Sequence, residues 1–596
     1  MSRSNRFTAS SSGSRSSLLL SEHHGPASVS GRSRAASYNN NDGMSIQTVS
    51  RTTSMKQDSI AEKYSLGPEP ALWGMPLNIR EEDDALHDPK VDTGSGGVMT
   101  MRALMNLGCL FLLVLGCIML FAGYPILSHF LAKNKQTNQG GFNLGGVNAS
   151  GQIPEFSNFG LIDPATPQSA YTRSSYVDSS KDMVLVFSDE FETDGRTFYP
   201  GDDPFWEAVD LHYWGTVDLE WYDPLQATTA NGSLKLRIDK VDDPADNHNL
   251  TYRSGMIQSW NKFCFTGGIL EAKIVLPGSS TISGLWPAVW AMGNLGRAGY
   301  GASLDGTWPF SYDSCDVGTL PNQTFPGTTT PLAATENGDP KYGGELSFLP
   351  GQKLSACTCK GESHPGPVRS DGTYVGRAAP EIDVLEAIVT DGVGQASLSA
   401  QWAPYNAEYK LNSTGNNVEY LDNNNTIPNT FVGGAFQQTT SGLATTNQDC
   451  YELNAGCFAI YAFEYQTGFD DGYITWIQDN QLSWTLRGPA MGPDTATEIS
   501  TRPIPQEPMY IIANLGLSLG FGVVDFENLI FPATMSIDYI RVYQPRDSIN
   551  VGCDPQDFPT RTYIDTYQAA YTNPNLTTWV DDFKQPFPKN RLLDNC

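Results

Sequence analysis

The chain has 596 residues, enough for two or more domains or for one large, elaborated domain. Its formal net charge is -28, which argues against a nucleic-acid partner because phosphate binding needs clustered Lys and Arg. The acidic balance is compatible with a neutral, hydroxyl-rich partner, although it favours the simpler interpretation of a solvated acidic surface.

Residues 1–102 are rich in Ser, Arg and Asn and contain few large apolar side chains. A segment of this composition cannot bury enough apolar surface to offset its conformational entropy. We therefore expect a disordered tail.

Residues 103–124 form an apolar run without a charged residue. About 20 helical residues cross a bilayer. The run also lies too far from the N-terminus for an ordinary signal peptide. A buried core helix is the alternative, and we predict a single transmembrane helix.

The orientation of this helix depends on what flanks it. Lys90 and Arg102 precede the run and Lys133 and Lys135 follow it, so the distribution of basic residues does not decide. All the Asn-x-Ser/Thr sequons come after the run, at Asn148, Asn231, Asn249, Asn322, Asn412, Asn424 and Asn575. This asymmetry predicts a type II membrane protein with a cytoplasmic tail and a glycosylated lumenal or extracellular portion. The compartment, whether endoplasmic reticulum, Golgi or plasma membrane, stays open.

Eight of the ten cysteines also follow the run: Cys264, Cys315, Cys357, Cys359, Cys450, Cys457, Cys553 and Cys596. An even number in an oxidising compartment predicts disulfide bonds. Eight cysteines allow 105 pairings, so we do not assign them from the sequence.

Beyond the run, residues 125–183 are rich in Gly, Asn, Ser and Pro and are typical of a stalk. Residues 184–545 contain short apolar or alternating runs separated by turn residues, for example 233–238 and 269–276. Many short strands without intervening amphipathic helices predict an all-β sandwich.

Two segments depart from this strand pattern. Residues 296–380 are rich in Gly, Pro, Thr and Ser and hold three cysteines. A structureless loop of that length is uncommon in a compact domain, so we predict a disulfide-stapled insertion at the rim of the sandwich. Residues 546–596 form a C-terminal extension.

The segment Glu-Ile-Asp-Val-Leu-Glu at 381–386 contains three acids in an apolar run. In a regular strand Glu381 and Asp383 share a face and Glu386 points away. One extra residue, a β-bulge, would return Glu386 to that face. Two carboxylates close together on one face can cleave a glycosidic bond. A plain half-exposed strand would carry the same acids, so the motif alone does not decide.

Several further segments resemble glycoside hydrolase family 16, which includes laminarinases and lichenases. They are residues 186–191, 254–257, 268–272, 284–293, 512–516 and 537–543, in the family's order. The tail, membrane helix, cysteine-bearing insertion and residues 379–387 more narrowly resemble fungal membrane-anchored proteins of cell-wall β-1,6-glucan synthesis. The resemblance implies a concanavalin-like jelly-roll sandwich that acts on β-1,6- or β-1,3-linked glucan.

The resemblance also implies roles for the acids. Glu381 would be the nucleophile, Glu386 the acid/base and Asp383 the residue that tunes the nucleophile. A retaining enzyme needs two carboxyls about 5–5.5 Å apart. Crowding raises the pKa of one of them and keeps a proton for the acid step. An acceptor sugar in place of water would turn hydrolysis into transglycosylation.

Five residues are candidates for substrate binding: Trp286, Trp290, Gln401, Trp402 and Asn514. Trp286 and Trp290 alternate on one strand and could stack on sugar faces or fill the core, where Trp is often found. Family members often carry a His near the position of Gln401, and this departure weighs against ordinary laminarinase activity.

We find no phosphate loop, sugar-nucleotide fingerprint or zinc-ligand spacing, so we predict no required cofactor. The resemblance allows a structural calcium ion near the opening strand. Two functions remain: a glucan-active retaining enzyme, and a non-catalytic β-glucan-binding scaffold or chaperone. A change in glucan length or linkage would distinguish the first from the second.

Overall fold

The computed structural model describes residues 101–123, 160–406 and 410–596, without the side chains of residues 101–107 and 109. Nearly all of the predicted tail, the first part of the predicted stalk and Asn148 lie outside the described residues. The described residues belong to two units, one with the helical segment 101–123 and one with residues 160–596.

In the first unit, helix α1 (Met101–Ile118) continues into a π-helical turn, Met119–Gly123. Its apolar side chains from Leu110 to Phe121 are exposed. Within the part of the chain that the structure describes, no helix is long and apolar enough to span a membrane. The transmembrane helix at 103–124 therefore stays a prediction.

The second unit is built almost entirely of strands. In chain order these are β1 Thr172–Ser174, β2 Asp182–Asp189, β3 Glu207–Ala208, β4 Leu211–His212, β5 Glu220–Tyr222, β6 Ala227–Thr229, β7 Leu234–Lys240, β8 Tyr252–Ser254, β9 Met256–Gln258, β10 Gly268–Val275, β11 Leu285–Gly293, β12 Glu381–Thr390, β13 Val393–Trp402, β14 Val418–Tyr420, β15 Thr426–Pro428, β16 Gln438–Thr445, β17 Ala459–Gln466, β18 Tyr473–Gln478, β19 Gln481–Arg487, β20 Met509–Leu517 and β21 Ala533–Pro545. Three short helices accompany them: α2 Gly301–Leu304, α3 Arg561–Thr566 and α4 Gln568–Thr572.

The strands form two sheets that pack face to face, as the short alternating runs predict. The outer sheet has the order β14-β19-β18-β17-β10-β21-β7-β8-β5-β4, with β1, β2 and β6 attached to it. The second sheet has the order β15-β16-β13-β12-β11-β20-β9-β3. The acid-bearing strand β12 is central in this second sheet, which we call the cleft sheet.

Side-chain alternation assigns the two faces of the cleft sheet. On β11, Leu285, Val289 and Ala291 belong to the core between the sheets. Trp286 and Trp290 alternate with them and therefore point to the opposite face. That opposite face of the cleft sheet carries the acids.

The folded unit begins before the predicted stalk ends. Strand β1 (Thr172–Ser174) pairs with β2, and the hydroxyl of Ser175 and the backbone N–H of Tyr176 donate to Glu464 of the outer sheet, at 2.6 and 2.7 Å. These contacts satisfy a buried carboxylate on β17. Residues 172–176 therefore pack on the outer sheet.

The predicted insertion connects β11 to β12 and contains one short helix and several 3-10 turns. It packs against the C-terminal extension in an apolar cluster that includes Leu354, Tyr571 and Trp579. All eight cysteines beyond residue 200 form disulfides, as predicted: Cys264–Cys553, Cys315–Cys357, Cys359–Cys596 and Cys450–Cys457. Cys264–Cys553 fixes the extension to the sandwich, Cys359–Cys596 joins the insertion to the extension, and Cys315–Cys357 closes a loop within the insertion.

The six sequon residues in the described part of the chain lie at or near the surface. Asn231, Asn249, Asn412, Asn424 and Asn575 are exposed, and Asn322 is half-buried and donates to Glu345. This placement is compatible with glycosylation, which stays a prediction.

A buried ion pair anchors the insertion. The guanidinium of Arg377 is fully buried and donates to both oxygens of Glu507, at 2.7 and 2.8 Å. It also donates to the carbonyl oxygens of Gly366 in the insertion and Pro559 in the extension. One side chain thus connects the insertion, the extension and the segment before β20.

We expect Arg377→Ala to lower the free energy of unfolding by about 3–5 kcal/mol, because it leaves Glu507 buried without its counter-charge. Urea unfolding followed by tryptophan fluorescence measures this loss. The control is Arg237→Ala, whose half-exposed pair with Asp239 is expected to contribute about 0–1 kcal/mol. Equal losses in the two variants would contradict the anchoring role.

Candidate active site

The acid-bearing strand β12 contains one extra residue. On β13, Ser399 lies opposite Asp383 and Ser397 lies opposite Glu386, so three steps on β12 match two steps on β13. The register of β12 against β11 shifts at the same place. This is the predicted β-bulge, and it brings Glu386 to the same face as Glu381 and Asp383.

The residues between the acids point into the core. Ile382, Val384, Leu385 and Ala387 are all buried in the cluster between the sheets. Val384 and Leu385 are adjacent and both face inward, which a regular strand does not allow. The apolar half of the motif therefore fixes the bulge, and the polar half is presented to the cleft.

A bulge interrupts the strand ladder and leaves backbone groups that need other partners. Here two indoles of the outer sheet supply them. Trp476 donates to the carbonyl oxygen of Asp383 at 2.8 Å, and Trp484 donates to that of Leu398 at 3.0 Å. The two rings are stacked, with centroids 4.2 Å apart. Gly442 makes room for Trp484, since a Cβ there would lie 2.5 Å from the ring.

Polar side chains of β13 and β16 hold the acids from one side. The hydroxyl oxygen of Ser399 lies 2.8 Å from Asp383 and 3.1 Å from Glu386, so its single proton is shared between the two carboxyls, with Asp383 the nearer. The amide of Gln401 donates to Asp383 at 3.1 Å, and its oxygen accepts a bond from Thr439. Asp383 is buried and receives two hydrogen bonds, so it is the fixed centre of the acid group.

The nucleophile candidate is contacted from another direction. The indole N–H of Trp308, in the insertion, donates to Oε2 of Glu381 at 2.5 Å. Glu381 is half-buried at the start of β12, opposite Gln401 on β13. The insertion therefore reaches the reactive end of the acid motif.

All three acids have a raised pKa. Burial and the charges of Asp383 and Glu386 raise the pKa of Glu381 well above its ordinary value, while the bond from Trp308 opposes the rise. Burial raises the pKa of Asp383 to about 6. Burial and the charge of Asp383 raise the pKa of Glu386 to about 8. The three carboxyls together therefore retain a proton near neutral pH, which a general acid requires.

Four of the five predicted substrate-binding residues share the face of the acids. Trp286 is half-buried, stacks on Phe521 with centroids 4.2 Å apart, and faces Glu386. Trp290 and Asn514 are nearly buried and bond to each other at 2.8 Å. Gln401 contacts Asp383. Trp286 and Glu386 thus border the open part of the cleft, and Trp290 and Asn514 form its floor.

The structure does not bring the fifth residue, Trp402, to the cleft. Trp402 alternates with Gln401 on β13, is fully buried in the core, and donates to Thr440 at 2.9 Å. The prediction that it contacts substrate is therefore corrected, because period-2 alternation places Trp402 on the core face with Leu398 and Ala400. Sequence reasoning could have used this alternation.

The sequence analysis did not identify two residues that contact the acids, Ser399 and Trp308. The position of Ser399 could have been predicted, because Ser397, Ser399 and Gln401 alternate with apolar residues and so share the acid face. The position of Trp308 could not, because it lies in an insertion without strand or helix periodicity. Its position follows only from the tertiary fold.

Two carboxylates near the opening strand are bound by a guanidinium, and the structural calcium ion that the resemblance allows stays a prediction. Asp189, at the end of β2, and Asp203 both bind the guanidinium of Arg196, at 2.6–2.8 Å. Among the residues that the structure describes, no cluster of three or more His, Cys, Asp or Glu could hold a metal ion. A guanidinium therefore balances these carboxylates.

Comparisons with known proteins cover most of the chain. The profile of the family described as "Beta-glucan synthesis-associated protein SKN1/KRE6/Sbg1" matches residues 73–596. Beta-glucan synthesis-associated protein KRE6 of Saccharomyces cerevisiae is 42% identical over 601 residues, covering 97% of this chain and 76% of that protein. KRE6 of Candida albicans is 41% identical over 572 residues, covering 91% and 72%.

Solved structures with similarity include the catalytic domain of an endo-1,3-beta-glucanase (laminarinase) from Thermotoga petrophila. It is 19% identical with a TM-score of 0.35, and the match covers 61% of this chain and 99% of that domain. The endo-beta-1,3-glucanase of Pyrococcus furiosus is 18% identical with a TM-score of 0.35, covering 64% and 98%.

The raised pKa of Glu386 predicts a pH-dependent stability. A carboxyl whose pKa rises from 4.5 to about 8 on folding binds its proton more tightly in the folded state. Stability is therefore lost as the pH rises from about 4.5 to about 8. Because Gln stays neutral, we expect Glu386→Gln to match the parent near pH 4.5 and to melt at a higher temperature near pH 8.

Thermal melts across this pH range measure the effect, with the exposed Glu192→Gln as the control. A difference between Glu386→Gln and the parent that does not grow with pH would contradict the assignment.

Proposed function

The chain belongs to the SKN1/KRE6/Sbg1 family of beta-glucan synthesis-associated proteins, and on this basis we propose that it is a retaining β-glucan hydrolase or transglycosylase of the glycoside hydrolase family 16 type. The observation that carries the proposal is the bulge in β12. It places Glu381, Asp383 and Glu386 on one face of the cleft sheet. This face points away from the core between the sheets, so core packing does not account for three carboxyls there.

The proposed chemistry is a double displacement. The Glu381 carboxylate attacks the anomeric carbon of a glucosyl unit, and Glu386 gives its proton to the leaving glycosidic oxygen. In the second step Glu386 takes a proton from an incoming hydroxyl, whose oxygen displaces Glu381 from the anomeric carbon. Water as the incoming group completes hydrolysis, and a glucan hydroxyl completes transfer.

The environment of each acid supports these roles. Glu386, with a pKa of about 8, still holds a proton near neutral pH and can act as the acid. Burial and the neighbouring acids raise the pKa of Glu381, and the hydrogen bond from Trp308 opposes that rise by favouring the carboxylate form. Asp383 accepts bonds from Ser399 and Gln401 and separates the other two acids along the strand.

The cleft suits a sugar polymer. The half-buried ring of Trp286 borders Glu386, and aromatic faces bind the C–H faces of sugars. On the other side, Ser397, Ser441 and Asn429 form a chain of hydrogen-bonding groups, with 2.8 Å between the two hydroxyls. An apolar wall and a polar wall on either side of the acids match a glucosyl unit, whose faces are apolar and whose rim is hydroxylated. In a family associated with glucan synthesis, we propose transfer to a glucan acceptor as the main outcome.

The test uses the full-length chain, purified with its disulfides and glycans and incubated with β-1,3- and β-1,6-glucan oligomers. We expect mass spectrometry to detect longer or shorter oligomers. We expect Glu381→Gln to lower turnover by at least about a thousandfold, because the nucleophile is lost. Glu192→Gln is the matched surface control.

A folded protein that binds the oligomers without changing their length or linkage would instead support the glucan-binding scaffold or chaperone. The position of Trp308 favours this second candidate, because this side chain of the insertion lies directly against the candidate nucleophile Glu381.

We also propose that residues 103–124 anchor the chain in a secretory-pathway membrane with the sandwich on the lumenal side. The apolar, exposed side chains of α1 support this proposal. We expect the full-length chain to stay with membranes during alkaline carbonate extraction. Replacing residues 1–124 by a cleavable signal peptide should release a glycosylated protein into the supernatant. Release of the full-length chain would refute the anchor.

A further inference from the structure

The loop that carries Trp308 is fixed to the acid strand. Helix α2 ends at Leu304, whose carbonyl oxygen accepts the backbone N–H of Trp308 at 2.9 Å. The neighbouring carbonyl of Thr307 accepts the backbone N–H of Ala379 at 3.0 Å. Ala379 lies two residues before Glu381. A backbone hydrogen bond therefore joins the residue before Trp308 directly to the segment that leads into Glu381.

The C-terminal extension braces the same loop from behind. The backbone N–H of Ala302 donates to Leu576, and that of Trp579 donates to the carboxylate of Asp305, at 2.9 and 2.8 Å. The backbone N–H of Lys353 donates to Gly306 at 2.7 Å. A loop held by the extension and by the insertion can keep a side chain within hydrogen-bond distance of a reactive group.

Different side chains donate hydrogen bonds to the different acids. Ser399 bonds to Asp383 and Glu386, and Gln401 bonds to Asp383. Trp308 bonds to Oε2 of Glu381. An indole N–H is a donor only, so it can bind a carboxylate oxygen at any pH but cannot accept the proton of a protonated one.

We propose that Trp308 is a positioning residue for Glu381: its indole N–H holds one carboxylate oxygen, favours the ionised form, and leaves the other oxygen for attack on the anomeric carbon. This inference rests on the proposed function. It gives the insertion a direct part in the reaction, because the strand motif by itself does not supply this donor.

Trp308→Phe removes the donor and keeps most of the ring. A hydrogen bond to a charged group typically contributes about 1.5–3 kcal/mol. We therefore expect kcat for glucan transfer or hydrolysis to fall about tenfold to a hundredfold, with a smaller change in KM. Because the carboxylate loses a stabilising bond, the acidic limb of the kcat/KM profile should move to higher pH by about one unit.

The matched control is Trp221→Phe. Trp221 also donates to a carboxylate, Asp210 at 2.7 Å, outside the acid group. We expect this variant to keep the parental pH profile. An unchanged acidic limb in Trp308→Phe, or an equal shift in both variants, would overturn the positioning role.

A second measurement does not depend on turnover. In full-length protein labelled with 5-fluorotryptophan, the fluorine signal missing from Trp308→Phe identifies Trp308. We expect this signal to shift with pH in the parent and to stop shifting in Glu381→Gln. A signal that does not titrate in the parent, or that titrates unchanged in Glu381→Gln, would overturn the inference. If Trp308 titrates with Glu381 but no glucan product forms, the contact stands and the proposed function fails.

Discussion

The candidate site depends on a single extra residue in β12. Without it, Glu386 would point into the apolar core and Leu385 would be exposed in the cleft, because strand side chains alternate. The extra residue disrupts the ladder between β12 and β13, and the outer sheet compensates for that disruption through Trp476 and Trp484. The two sheets are thus coupled by hydrogen bonds where the acids are presented, and not only by apolar contact.

Placing three carboxyls on one face creates an electrostatic conflict. Burial and mutual repulsion disfavour their ionised forms, yet one must be ionised and one protonated for a double displacement. The three carboxyls differ in their burial and in their hydrogen-bond partners. Asp383 is buried and hydrogen-bonded by β13, Glu381 is bonded by the insertion, and Glu386 borders the open cleft, where it shares the hydroxyl of Ser399 with Asp383.

The sequence predicts the features of this structure that depend on residues close together in the chain, and it does not predict contacts between distant residues. The sandwich, the bulge and the shared face of the acids follow from local alternation and from the spacing of Glu381, Asp383 and Glu386. Alternation also holds for Trp402, where it outweighs the expectation that an aromatic residue next to the cleft contacts sugar. The contact of Trp308 with Glu381 joins residues 73 positions apart across an aperiodic segment, so local pattern carries no information on it.

The disulfide pairing was beyond the sequence for a related reason. Only the Cys450–Cys457 bond closes a short loop, of separation 7, whereas Cys264–Cys553 and Cys359–Cys596 join residues 289 and 237 positions apart. A chain synthesised from its N-terminus exposes Cys264 and Cys359 long before their partners exist. During that interval the loop of Trp308 lacks the brace from residues 576–579. All three acids are therefore synthesised before the segment that braces the Trp308 loop.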